Sequence, residues 1–339
     1  MVTQNRDNTI LKIYLMQVYG IDIANTHLDI YWQDTNEKVF VKRIANKFKS
    51  ITKFLQNINP KSIICAEHTG VYGDLLVELC CCSDISIALI EGYTISKSFA
   101  NEKGKSDQID AKRIWEYGCR FLDKLHFSKA SNESLKELKE LQSLRNQLVK
   151  QRKMIKTNQK GKQKKTSLSI TARKIESNIL NALNQQIKEV EKQIQRTIKE
   201  NAELLKNFNL ATSVIGVGDV IATELIIYTD NFKKIDTAKK AASFAGVCPF
   251  LNQSGSISKK PKVPKRSHKK LKSLLFLSAI NVSSFNKEMK LYKERKTMQG
   301  KHFFLIMNNI ANKILRIIFS VVKSGIPYDP NYVCVDPRN

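Results

Sequence analysis

Acidic side chains are scarce in this chain. Over 339 residues, 31 Asp and Glu face 57 Lys and Arg, a formal charge of +26. Two long stretches, 141–175 and 237–287, hold no acid at all. Such a balance implies a polyanionic partner, with nucleic acid first among them. Cysteine pairs of the Cys-x-x-Cys kind are missing too: Cys80, Cys81 and Cys82 are consecutive, and Cys65, Cys119, Cys248 and Cys334 are scattered. That argues against structural zinc, and the apolar settings suggest reduced thiols in a cytosol. No apolar run reads as a membrane span, and no basic helix with a bulky apolar face stands out. The first residues, Met-Val-Thr-Gln-Asn-Arg-Asp, lack the apolar core of a signal peptide. A cytoplasmic, bacterial-type protein near the nucleoid, with no membrane partner, is therefore expected. A hydrophobic share of 42% makes it globular rather than a disordered basic tail.

Against this background four acids stand out. Asp22 lies inside the apolar run Val18–Ala24, which reads as a buried strand. Glu67 closes a second such run, Ser62–Glu67. Asp107 and Asp110 are three apart, so on a helix they share a face. Carboxylates gathered in so basic a chain need a cation between them. Hard divalent ions such as Mg²⁺ or Mn²⁺ take oxygen ligands and organise phosphodiester cleavage.

The surrounding elements alternate. Tyr14–Ala24, His27–Gln33 and Val39–Ile44 read as successive strands, followed by helix Lys47–Gln56, strand Ser62–Glu67 and helix Gly73–Cys82. Strand Ile85–Glu91 and helices Ser96–Asn101 and Asp107–Tyr117 complete the set. Three meandering strands before alternating helices and strands give a mixed sheet of RNase H-like order. That order brings Asp22, Glu67, Asp107 and Asp110 to one end.

Residues 132–206 change character, with Leu141, Leu144 and Leu148, then Leu183, Ile187, Val190, Ile194 and Ile198, at helical spacing. Between these runs, residues 141–175 carry 11 Lys and Arg, and Lys160–Ser167 reads as a loop joining two antiparallel helices. Lys160, Lys162, Lys164 and Lys165 are candidates there for nucleic-acid contact. Beyond residue 207 the chain reads as mainly helical. Gly216 and Gly218 form a tight turn before a helix, a helix–hairpin–helix-like element where backbone can approach a phosphate. A Gly/Ser-rich stretch, Phe244–Ser258, leads into a basic loop with Lys259, Lys260, Lys262, Lys265, Arg266, Lys269 and Lys270. Helices Leu271–Asn281 and Phe303–Gly325 close the chain. The fold class expected is α/β plus all-α. It divides into a catalytic domain at 1–125, a basic helical or coiled-coil linker at 126–206 and a C-terminal domain at 207–339.

Six motifs then carry a resemblance. Gly20-Ile-Asp-Ile-Ala24, Glu67-His-Thr-Gly-Val-Tyr72 and Lys105-Ser-Asp-Gln-Ile-Asp-Ala111 lie in the first part. Ile215-Gly-Val-Gly218, Phe244-Ala-Gly-Val-Cys-Pro249 and Gln253-Ser-Gly255 lie in the second. In that order the chain resembles the DEDD transposases of insertion sequences, the IS one-ten family. These are bridge-RNA-guided recombinases related to the Piv-type DNA invertases. The resemblance implies an RNase H-like (RuvC-like) N-terminal domain whose metal ligands are Asp22, Glu67, Asp107 and Asp110. It also implies that Ser254 is a nucleophile forming a covalent link to DNA; without the motif, Ser256 and Ser258 would be equal choices. It implies as partners donor and target DNA, a structured RNA from the element, and further copies of the chain, a dimer assembling to a tetramer. Two positions depart from the family pattern: Asn25 stands where Lys is frequent, and Arg266–Lys270 replaces a Gly/Arg stretch. The same residues would also serve an RNA-independent invertase. Water-using junction resolvases share the acids alone, and a non-catalytic nucleic-acid-binding descendant would need neither acids nor serine.

Overall fold

The computed structural model describes residues 17–100, 104, 106–128, 132–162, 169–254, 257–263 and 267–331, with backbone alone at 162, 251–254 and 257–262. Lys164, Lys165, Lys265, Arg266 and Ser256 lie outside the described residues. The chain divides into two compact units, Met1–Ser131 and Asn132–Asn339.

The first unit is built on a mixed sheet. Its strands are β1 Val18–Ile23, β2 His27–Gln33, β3 Val39–Ala45, β4 Ile63–Glu67 and β5 Ser86–Ile90, in the spatial order β3-β2-β1-β4-β5. The first three pair antiparallel through short turns, whereas β4 and β5 join in parallel. Parallel joins require crossovers, supplied by helices α1 Phe48–Leu55 and α2 Asp74–Cys82. Helices α3 Gly92–Ser98 and α4 Asp107–Arg120 follow the last strand. The helix expected at Ser96–Asn101 starts earlier, at Gly92, directly after β5. Its amide ladder begins at Glu91, whose carbonyl accepts from Thr94 and Ile95.

Alternation along the strands sorts residues to two faces. Tyr19, Ile21, Ile23, Leu28, Ile30, Ile64 and Ala66 pack with Ile51, Phe54 and Leu76 of α1 and α2. Val18, Ile63, Cys65 and Ile90 face the other way, onto Ile95 and Ile114 of α3 and α4. By that parity Gly20, Asp22, Asp29 and Glu67 share the face on which α4 lies.

The second unit is helical. Helices α5 Glu133–Lys162 and α6 Ile170–Glu200 form the long pair that leucine spacing predicts. They run antiparallel: Arg145 meets Glu191, and further along Arg152 meets Asn184. The basic segment read as a loop from Lys160 is helical as far as Lys162. Then come α7 Ala202–Thr212, α8 Asp219–Thr229, α9 Ala238–Ala245, α10 Lys269–Phe285, α11 Lys287–Met298 and α12 Phe303–Ser324. Leu138, Val190, Ile194 and Ile198 of the long pair share one core with Leu204, Leu225, Leu275, Met307 and Ile314. The pair thus belongs to this unit by packing.

Two expectations about the second unit change. The Gly/Ser-rich and basic stretch contains an antiparallel hairpin, β6 Phe250–Ser254 and β7 Ile257–Lys262, where a loop is expected. Moreover, α12 is, among the described residues, one helix long and apolar enough to cross a membrane, against the expectation of none. Half of its apolar window is buried, and Ile306, Ile310, Ile314 and Ile318 line the core, the reason it is so apolar.

Candidate active site

The acids of the first unit are positioned by two local features. Gly20 has no side chain, and the Ala111 carbonyl and Trp115 backbone of α4 occupy the space its β-carbon would fill. That close approach seats α4 directly on β1. Ser106 then caps α4, its hydroxyl accepting from the Ile109 amide at 3.2 Å. Asp107 and Asp110 fall in the first turn, where unpaired amides and the helix dipole favour negative charge.

Asp22 is the next to last residue of β1, and Glu67 is the last of the parallel neighbour β4, one step beyond the Ile21–Ala66 pair. All four expected acids therefore arrive at one end of one face. Their proximity shows in Asp22, whose pKa is pushed up to about 6. Burial is the main cause, followed by the charges of Asp110, Asp107, Glu67 and Asp29. No cation is among the causes. Asp110 has a salt bridge to Arg113 at 3.3 Å.

Three residues that sequence reasoning missed complete the cluster. Asp29 lies opposite Asp22 across the β1–β2 ladder and is 1% exposed. Arg43 of β3 lies opposite Asp29 and donates to both of its oxygens, Nε at 2.9 Å and Nη2 at 2.8 Å. The same Nη2 reaches Asp107 Oδ2 at 3.0 Å. His27 Nε2 stands 3.4 Å from the carboxylates of both Asp29 and Asp107. Donor atoms of His27, Asp29 and Asp107 lie within 4.8 Å of one another. The available signal was Asp29 itself, an acid inside an apolar strand, just as Asp22 is.

In the second unit Ser254 ends β6 and pairs with Ile257 across the hairpin. The hairpin's root is firmly held. The Val247 carbonyl accepts from Asn308 Nδ2 at 2.8 Å, and the His268 amide donates to the Phe244 carbonyl at 2.9 Å. The His268 ring stacks on Phe244 at 5.3 Å, and its Nδ1 accepts from the Leu271 amide, capping α10. Burial lowers the His268 pKa, which favours the neutral ring that this acceptor role needs.

Among the basic candidates, Lys160 and Lys269 are exposed on helices, and Lys259, Lys260 and Lys262 belong to β7. Lys270 is differently placed, because its ammonium pairs with the buried Glu224. Glu224 also accepts from Gln142 at 2.9 Å and Asn146 at 3.4 Å, so it joins α5, α8 and α10. Gly216 adopts φ 83°, and Val282 of α10 sits where its β-carbon would be, a packing reason for glycine. Gly218 faces open space and precedes the first turn of α8.

With this geometry in place, comparison with known proteins is decisive. Residues 19–162 match the DEDD-type transposase model of the IS110 group, and residues 209–294 match the "Transposase IS116/IS110/IS902 family". The chain belongs to the IS110 family of transposases. It is thus a DNA transposase or recombinase, an enzyme acting on DNA. A pilin gene-inverting protein of Moraxella bovis is 26% identical over 91% of this chain and 97% of its own length. An insertion element IS110 protein of Streptomyces coelicolor is 26% identical over 35% of this chain and 29% of its own. An IS900 protein of Mycobacterium paratuberculosis is 24% identical over 39% and 34%. Membership in a DEDD family implies use of a divalent metal.

Proposed function

We propose that this IS110-family chain cuts and rejoins DNA through a covalent serine–DNA intermediate, using divalent metal held by Asp22, Glu67, Asp107 and Asp110. One observation carries the reading. Three separated segments of a basic chain deliver four carboxylates to one end of one sheet face, and Asp22 is driven to about 6 by burial and its neighbours' charge. The strand order β3-β2-β1-β4-β5 supports an RNase H-like, RuvC-like assignment for this unit.

The donor set suits Mg²⁺ or Mn²⁺, since every donor is a hard carboxylate oxygen and the charges that act on Asp22 are all negative. Bound there, such an ion supplies Lewis-acid polarisation of the phosphate and stabilises attacking and leaving oxygens. The remaining work falls to the chain. Ser254, presented at the end of β6, would attack phosphorus with its Oγ. An Oγ–P bond forms, a P–O bond to deoxyribose breaks, the serine proton passes to a base and the departing sugar oxygen takes one up. Because one phosphodiester replaces another, the reverse step rejoins DNA without added energy.

The basic run Lys160, Lys162, Lys164 and Lys165 would grip a phosphate backbone. So would Lys259, Lys260, Lys262, Lys265, Arg266 and Lys269 after the serine. Gly218 leaves the amides of α8 open to a phosphate. The charge of +26 supports a second polyanion besides DNA, the structured guide RNA of the element. Homo-oligomers, a dimer assembling to a tetramer, would let one subunit's acids meet another's serine. The likeness to a pilin gene-inverting protein over nearly the whole chain favours a second reading, site-specific inversion, for which the same residues would serve with or without RNA.

Covalent capture separates these readings. Protein, Mg²⁺, DNA spanning the element junction and RNA transcribed from the element's flank are combined and resolved on a denaturing gel. An adduct requiring Ser254, Asp22 and RNA supports the guided recombinase. An adduct without RNA supports the invertase. Cleavage without adduct, indifferent to Ser254→Ala, overturns the serine mechanism in favour of a water-using nuclease.

A further inference from the structure

The acidic centre already contains a cation of its own. Asp29 is a fifth carboxylate, with a side chain only 2% exposed, and both of its oxygens are occupied by the Arg43 fork. Two parallel hydrogen bonds fix the plane of a guanidinium as one bond cannot. The fork therefore holds Arg43 where its Nη2 also meets Asp107 Oδ2 at 3.0 Å. Of Arg43's two carboxylate partners Asp107 is the more exposed, at 53% of its side chain, and it begins a helix instead of sitting within the sheet. Left alone it would swing among solvent rotamers. Arg43 cannot relieve the contact by losing its proton, because guanidinium stays charged at any pH a protein tolerates. One oxygen of a proposed metal ligand is thus engaged by a permanent positive charge.

We propose that Arg43, anchored on buried Asp29, is a resident counter-cation that holds Asp107 in the metal-free protein and competes with the divalent ion for it. The inference rests on reading the four acids as metal ligands. Its logic is Coulombic: a fixed charge beside a ligand opposes an incoming cation, whereas the carboxylate that anchors that charge offsets it. Asp29 and Arg43 are positioning residues in this scheme and touch no substrate. They act in opposite directions on one quantity, which a merely structural cross-strand pair would not do. Removing either half of such a pair would loosen β3 from β2 and leave metal affinity alone.

The test is calorimetric titration of the full-length protein with Mn²⁺ in the absence of DNA, with thermal melts to verify folding. Arg43→Gln should bind Mn²⁺ about tenfold more tightly than wild type, and Asp29→Asn about tenfold more weakly. Arg43→Lys keeps the charge but loses the fork, so its affinity should fall between wild type and Arg43→Gln. If Arg43→Gln proves too unstable to titrate, the Asp29→Asn and Arg43→Lys directions still decide. Wild-type affinity in Arg43→Gln and Asp29→Asn, with binding abolished by Asp22→Asn, overturns the counter-cation and leaves the metal site standing. Wild-type protein that shows no Asp22-dependent Mn²⁺ binding overturns both together.

Discussion

Asp22 in the first unit and Glu224 in the second are both withdrawn from water, yet their surroundings are opposite. Glu224 is 1% exposed and meets Gln142, Asn146 and Lys270, so a buried charge is matched by donors and a cation. Asp22 is half-buried among Asp110, Asp107, Glu67 and Asp29, with burial and like charge alone raising its pKa to about 6. Folding resolves one carboxylate and leaves the other unresolved. Glu224 is satisfied by the chain itself, whereas the charges acting on Asp22 are all of its own sign, a setting that suits the metal-ligand role proposed for it.

The contrast can be broken most forcefully at Asp22. Under the proposed mechanism Asp22→Asn should lower DNA cleavage by about a thousandfold or more, since a metal ligand supplies several kcal/mol of transition-state stabilisation. Fold stability should move the other way. The folded pKa of about 6 lies above the unfolded value of 3.8, so the folded state binds more protons between them. Metal-free stability should therefore fall as pH rises from about 4 to about 6 in wild type. Asp22→Asn should flatten that slope and gain about 1 kcal/mol at neutral pH, after allowance for partial solvent screening. Urea melts across pH would check both; a steeper slope in the variant would refute the reading of Asp22 as unmatched.

Glu224→Ala should behave in reverse, costing about 3 kcal/mol because Lys270, Gln142 and Asn146 lose their shared acceptor. Denaturant midpoints measure this, and a neutral outcome would erase the distinction between the two acids. A smaller loss, about 2 kcal/mol, is expected for Gly216→Ala, where a left-handed backbone and Val282 both oppose a β-carbon. The Gly218→Ala control should be near neutral, having open space around it. Smaller than the Gly216→Ala loss is that of Ser106→Ala, which removes the cap of α4 and should cost about 1 kcal/mol.

Much of the first unit was legible from sequence. Its strands are apolar runs, and an Asp or Glu within one is conspicuous for its cost, so Asp22 and Glu67 announce themselves. Asp29 has the same signature but was passed over, because its meaning depends on Arg43, 14 residues away and opposite only through strand register. No local pattern reports a cross-strand partner. The same limit explains Lys270, one more lysine in a basic run until α8 places Glu224 beneath it. The hairpin at Phe250–Lys262 was hidden because glycine, serine and lysine mask the alternation that marks a strand. The long helix pair was legible as helices. Its membership of the second unit was not, since that follows from a shared core joining residues far apart in sequence.

One detail of the first unit bears on its motions. Asp107 and Asp110 hang from the opening turn of α4, and helix ends are where native structure first opens and recloses. Two of the four carboxylates therefore share a single point of fraying. Amide exchange at Ile109 and Asp110 would report that opening, and its rate would set how long the centre stays assembled between visits of an ion. Two of the carboxylates proposed to hold metal thus depend on the one helical turn that Ser106 caps, whereas Asp22 and Glu67 are fixed by the sheet.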